Sequence, residues 1–149
     1  MEPTPGATKE TLETILVVDD DETVLRMVVA ILEGASFRVL SAHSGADCIA
    51  VANQTNGTIH LLLSDVDMPR MSGLDVSDAL RATRPEMRVM LMSGGDNGLM
   101  VLNYGWAYLQ KPFMAVKLLQ MVTDVLHTPD RSQPGGRQFD IRMDISEKG

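Results

Sequence analysis

The stretch Leu61 to Gly73, LLLSDVDMPRMSG, constrains this chain more than any other. Three successive leucines are too short a run for a helix with a polar face, and fit a strand buried on both sides, as in a parallel sheet. Asp65 then lies at that strand's carboxyl end. Ligands of open α/β sheets bind in the crevice beyond the strand carboxyl ends, so an acid there is a site candidate by position alone. Pro69 lacks a backbone donor and Gly73 permits positive φ, so residues 68–73 are expected to form an ordered turn into a helix.

The rest of the chain repeats this rhythm. Residues 15–18 read as a buried strand running into Asp19, Asp20 and Asp21. A helix follows, capped by Asp21 or Thr23, with Val24, Leu25, Val28, Ile31 and Leu32 at helical spacing and Gly34 closing it. A strand is expected over 37–40, a helix capped by Ser44 over 44–52, a helix over 74–83 stopped by Pro85, and a strand over 89–92. A short or irregular fourth helix over 99–104, a strand over 107–110 and a helix over 113–127 complete the pattern. Such alternation implies an α/β fold: a parallel sheet with right-handed crossovers and helices on both faces. All strand ends share one rim, which gathers Asp19, Asp20, Asp65, Ser93 and Lys111.

Composition sets limits on partners. At 149 residues and 44% hydrophobic content, one domain with a real core is expected, here over 14–128. Residues 1–13, rich in Pro, Thr and Glu, read as a mobile leader. The tail, 129–149, opens as a Pro/Gly linker, after which Phe139, Ile141, Met143 and Ile145 alternate with Asp140, Arg142 and Asp144. It is expected to be disordered or to add an edge strand, in this chain or in a second copy as a homodimer. A net charge of -7 without a Lys/Arg cluster argues against direct nucleic-acid binding. No apolar run approaches the ~20 residues of a membrane helix, so a cytoplasmic protein is expected. Cys48 is single and reads as a buried thiol; His43, His60 and His127 are scattered, which leaves no zinc set.

Neighbouring carboxylates repel by ~4 kcal/mol per pair at 4 Å and an effective dielectric near 20. A cation must hold them, and hard oxygen donors on short side chains suit Mg²⁺. A carboxylate nucleophile, a divalent cation, a hydroxyl and a lysine match phosphoryl transfer to Asp65. Lys111 and the cation would neutralise the phosphoryl oxygens, Ser93 would donate to one of them, and Gly94 and Gly95 would leave room for the group.

Four segments carry a family resemblance: ILVVDDDE at 15–22, LLLSDVDMPRMSG at 61–73, LMSGG at 91–95 and AYLQKPF at 107–113. Together they resemble the bacterial response-regulator receiver domain of the chemotaxis type, and are most similar to receivers of hybrid sensor histidine kinases. The resemblance implies a flavodoxin-like five-stranded parallel sheet in the order 2-1-3-4-5. It implies that Asp65 accepts a phosphoryl group from the phosphohistidine of a sensor histidine kinase or phosphotransfer protein. Mg²⁺ would be bound by Asp20, Asp65 and the Asp67 backbone carbonyl, with Asp19 acting through water. Ser93, Gly94 and Lys111 would bind the phosphoryl group, Ser93 and Tyr108 would form a switch, and the Lys111–Pro112 bond would be cis. Departures are a short segment between Ser93 and Lys111, which alters the usual output face; Asp67, expected to change the autodephosphorylation rate; and Met114, which leaves the last helix without a capping side chain.

The implied function is a stand-alone phosphoacceptor that assists its own phosphorylation and dephosphorylation and switches binding to an unidentified downstream protein, rather than an enzyme. Two alternatives have different chemistry. A degenerate receiver would be a constitutive interaction module. A haloacid-dehalogenase-like phosphatase also uses an Asp-x-Asp nucleophile, a hydroxyl, a Lys, an acidic pair and Mg²⁺; here the acidic pair precedes the nucleophile and no substrate cap follows.

Overall fold

A computed structural model of the protein describes residues 12–95 and 106–127. Its elements are β1 (Thr14–Val18), α1 (Glu22–Gly34), β2 (Arg38–Ala42), α2 (Gly45–Gln54), β3 (Leu61–Asp65), α3 (Gly73–Arg81), β4 (Arg88–Ser93), β5 (Ala107–Gln110) and α4 (Ala115–His127). The five strands form one sheet in the order β2-β1-β3-β4-β5, and every pairing is parallel. The short helix expected over 99–104 and the tail strand over 139–145 lie outside the described residues.

Strand alternation divides the core in two. Leu16, Val18, Leu62, Val89 and Leu91 face α2 and α3, where Cys48, Ala52, Val76 and Leu80 meet them. Ile15, Val17, Leu61, Leu63, Met90 and Met92 face α1 and α4, against Leu25, Val28, Leu32, Leu118 and Val122. Because β1 and β3 are buried on both faces, residues 15–18 and 61–63 are apolar without interruption, each large side chain contributing about 1.5–3 kcal/mol of burial. Their polar residues stand at the ends: Thr14 opens β1, and Ser64 and Asp65 close β3.

Helix starts follow short polar caps. Asp21, rather than Thr23, caps α1, accepting from the N–H groups of Thr23 at 2.9 Å and Val24 at 3.3 Å. Ser44 caps α2, and α3 begins with a reciprocal Ser72/Asp75 box one residue before the expected start. Met114 supplies α4 with its carbonyl only, accepting from Leu118 N–H at 3.1 Å.

Two glycine expectations need correction. Gly34 is helical, and the left-handed residue that ends α1 is Ser36, at φ 72. Ser36 N–H donates to Glu33 O at 3.0 Å and Phe37 N–H to Leu32 O at 3.1 Å, a Schellman closure two residues later than the sequence suggests. Phe37 is thereby taken out of the sheet, so β2 occupies Arg38–Ala42 instead of 37–40. In the turn after β3, positive φ falls on Arg70, at φ 70, where Met71 N–H closes a three-residue turn on Pro69 O at 2.7 Å. Gly73 is required for another reason: a Cβ there would lie 2.5 Å from Asp65 O and 2.9 Å from Ser64 Oγ.

Ser36 gives a first prediction. A left-handed backbone disfavours any Cβ, so Ser36→Gly is expected to stabilise the protein by about 0.5–1 kcal/mol. Urea unfolding checks this, and a lower midpoint for the variant would contradict it.

Candidate functional site

The sheet's carboxyl edge collects the acids. Asp19 follows β1 directly, its N–H donating to Ala42 O at 3.3 Å, and its side chain is fully buried. Asp20 is exposed beside it. Asp65 is the last residue of β3 and is 4% exposed. One carboxylate oxygen from each of Asp19, Asp20 and Asp65 lies within 4.8 Å of the others. Three hard oxygen donors at that spacing suit a small divalent cation, and among the described residues this is the one such cluster.

Lys111 enters from the turn after β5, through a cis Lys111–Pro112 bond. Its Nζ is 2.9 Å from Asp19 Oδ2 and 3.5 Å from Asp65 Oδ1. Burial works against the Lys111 ammonium, but the Asp19 hydrogen bond and the charges of Asp65 and Asp19 outweigh it and raise the pKa. Lys111 therefore stays charged and neutralises part of the cluster.

Burial pushes the Asp65 carboxyl from 3.8 up to about 6, reinforced by the Asp19 charge and opposed by Lys111 and the Asp67 N–H. This has a sign for stability. The folded state binds the Asp65 proton more tightly than the unfolded chain does, so Asp65 favours folding below about pH 4 and loses that contribution as pH rises through about 6. Asp65→Asn removes the cost while keeping the shape. At 1.36 kcal/mol per pH unit, it is expected to stabilise the cation-free protein at pH 7 by about 2–3 kcal/mol, and by much less at pH 4. Denaturant titrations at the two pH values test this, and an equal effect at both would contradict it.

The remaining predicted residues surround this cluster. Ser93, the buried end of β4, donates from Oγ to Asp67 Oδ2 at 2.8 Å and accepts from Gly95 N–H at 3.1 Å. A Cβ on Gly94 would make only an ordinary contact, 3.7 Å from Lys111 Cβ. Half-buried Tyr108 donates its hydroxyl to the Ser93 carbonyl at 3.3 Å. Asp67 N–H donates to Asp65 Oδ1 at 3.2 Å. The sequence assigns Asp67 a backbone carbonyl toward the cation and a carboxylate that changes the autodephosphorylation rate; the structure adds that this carboxylate accepts the Ser93 hydroxyl. The sequence reading missed Ser64, whose hydroxyl donates to Asp65 O at 2.9 Å; a serine beside an acid carries no signal of that role. The three histidines lie elsewhere: His60 accepts from Thr14 N–H at 2.9 Å, while His43 contacts Glu22 at 2.7 Å and His127 contacts Glu13 at 3.1 Å.

This geometry coincides with similarity to known proteins. A family model described as the response regulator receiver domain matches residues 15–123. Sensor kinase CckA of Brucella abortus is 28% identical over 121 residues, covering 78% of this chain and 13% of that protein. Transcriptional regulatory protein CpxR of Escherichia coli is 33% identical over 118 residues, covering 77% of this chain and 50% of that protein. The chain thus spans half or less of the length of these curated relatives. Among solved structures, a receiver domain protein from Clostridium thermocellum superposes with a TM-score of 0.71 at 27% identity, covering 77% of this chain and 94% of that one. The receiver domain of the hybrid histidine kinase CckA gives a TM-score of 0.67 at 30% identity, covering 76% and 99%.

Proposed function

We propose, since this chain belongs to the response regulator receiver family, that Asp65 is its phosphoacceptor and that a histidine kinase or phosphotransfer protein is the donor. The observation that carries this is a nearly buried carboxylate at a strand end, with the Lys111 ammonium 3.5 Å away and two further acids beside it. In the transfer, an Asp65 oxygen attacks phosphorus, a P–O bond forms, the P–N bond to the donor imidazole breaks, and the imidazole leaves with its nitrogen lone pair. Lys111 would pair with a phosphoryl oxygen, and Ser93 would donate to another. Gly94 leaves the space beside Lys111 open.

Asp20, Asp65 and the Asp67 backbone carbonyl would hold Mg²⁺, with Asp19 acting through water, and the bound ion would neutralise charge developing on the phosphoryl oxygens. The hard oxygen donors and the 4.8 Å cluster support that assignment. Ser93 and Tyr108, joined through the Ser93 carbonyl, would communicate phosphorylation to a downstream protein. No helix among the described residues is long and apolar enough to cross a membrane, and we place the protein in the cytoplasm with its donor. It acts as a phosphorylation-controlled binding module, not as an enzyme on a separate substrate.

Incubation with acetyl phosphate and Mg²⁺, followed by intact-protein mass spectrometry, tests the reading. One phosphoryl adduct is expected, reduced at least about a hundredfold by a chelator, because at least ~2.7 kcal/mol of charge stabilisation is removed. An adduct of equal yield in the presence of chelator, or several adducts per chain, would count against it.

A further inference from the structure

We propose that the Asp67 carboxylate is a positioning residue that holds the Ser93 hydroxyl away from the phosphoryl site until the phosphoryl group arrives, an inference that rests on the phosphoacceptor reading of Asp65. The contacts of Ser93 support it. Its Oγ donates to Asp67 Oδ2 at 2.8 Å and accepts from Gly95 N–H at 3.1 Å. Its carbonyl accepts from Lys111 N–H at 2.9 Å and from the Tyr108 hydroxyl at 3.3 Å. The Ser93 main chain is therefore fixed by β5 and the turn after it, and rotation about χ1 is the freedom left to the hydroxyl.

That hydroxyl has one proton to donate. It cannot donate to Asp67 and to a phosphoryl oxygen at once. Both acceptors are anionic, and hydrogen bonds to ionised acceptors are roughly twice as strong as neutral ones. Asp67 thus competes with the phosphoryl group on equal chemical terms, and the unphosphorylated arrangement is stabilised by the Ser93–Asp67 bond. Phosphorylation loosens the same bond from the other end. The Asp67 N–H is tied to Asp65 Oδ1 at 3.2 Å, so a group added to Asp65 disturbs that tether and sets a second anion beside the Asp67 carboxylate. Asp67 is exposed, which makes it replaceable without damage to the core. The Asp67 side chain sets how strongly an acyl phosphate must compete for Ser93.

Titration of the whole chain with beryllofluoride in excess Mg²⁺, monitored by NMR, tests this through a double-mutant cycle. Asp67→Ala is expected to bind the phosphoryl mimic about tenfold more tightly than wild type, or about 1.4 kcal/mol. In a Ser93→Ala background the latch is already gone and only the repulsion between the Asp67 carboxylate and the mimic is left, so the same substitution is expected to tighten binding by about twofold to threefold. Equal factors in the two backgrounds would reduce Asp67 to simple anion repulsion and overturn the proposal, as would no tightening at all. A wild-type chain that binds no beryllofluoride would overturn the phosphoacceptor reading itself, and the latch with it.

Discussion

Lys111→Met is expected to abolish phosphoryl adduct formation and to lower the unfolding free energy, near the lower end of the about 3–5 kcal/mol typical of a broken buried ion pair. The ammonium joins Asp19 at 2.9 Å and Asp65 at 3.5 Å. Asp19 is fully buried, and loss of Lys111 leaves it facing another carboxylate in a site of low dielectric. The lower end applies because the Lys111 side chain keeps 19% of its exposure and so some hydration. Methionine retains the aliphatic stem, which confines the effect to charge. The loss should be partly restored by Mg²⁺, since a cation in the acidic cluster relieves the same repulsion. Thermal unfolding with and without Mg²⁺ checks this. A variant as stable as wild type, with no larger response to the ion, would show that Lys111 does not hold the cluster together.

Gly73→Ala is the second large effect. The added methyl would lie 2.5 Å from the Asp65 carbonyl oxygen and 2.9 Å from Ser64 Oγ. The first of these is backbone in a central strand, paired through Asp65 to Met92, and it cannot rotate away as a side-chain tip could. Relief requires the turn to move. That turn is closed on Val66 O by the N–H groups of Met68 at 3.1 Å and Gly73 at 3.2 Å. Overpacking of this kind costs about 1–3 kcal/mol. Here it also displaces Asp65, so the rate of phosphorylation should fall by more than the stability loss alone explains. Equilibrium unfolding and acetyl phosphate kinetics on one preparation separate the two. Unchanged kinetics with unchanged stability would contradict the close-packed turn.

The sheet was legible because its signals are local. Leu61, Leu62 and Leu63 fit a strand buried on both faces, the alternation of strands with helices made the sheet parallel, and the carboxyl rim followed for Asp19, Asp65, Ser93 and Lys111. Boundaries were less accessible. The Schellman closure at Ser36 has no glycine to mark it, and it shifted β2 by one residue at its start. The arginines were not legible at all. Arg84 reaches Ala52 O at 3.0 Å and Thr55 O at 2.8 Å to finish α2, and Arg88 bonds the carbonyls of Val125 and Leu126 near the end of α4. Trp106, buried under the Arg81 guanidinium 5.2 Å from its ring centroid, likewise gave no pattern to read. Such contacts join residues far apart in the chain and depend on tertiary placement, which periodicity does not encode.

In the site itself, sequence supplied the inventory and structure supplied the pairings. Charge and position sufficed to select Asp65 and Lys111. Nothing in the order of residues indicated that the Asp67 side chain would take the Ser93 hydroxyl at 2.8 Å, because the two are 26 residues apart. A second acid two positions after Asp65 reads equally well as a metal ligand, a solvent-facing turn residue or a partner of Ser93.

The central claim is that Asp65, among four neighbouring aspartates, carries the phosphoryl group. Borohydride reduction of the acetyl phosphate product converts an aspartyl phosphate to homoserine, and tandem mass spectrometry of the digested chain locates it. Homoserine at position 65, absent from Asp65→Asn and from the chelator control, is the predicted result. Homoserine at position 19, 20 or 67, or reduction at none of the four in a chain that carries the adduct, would contradict the account.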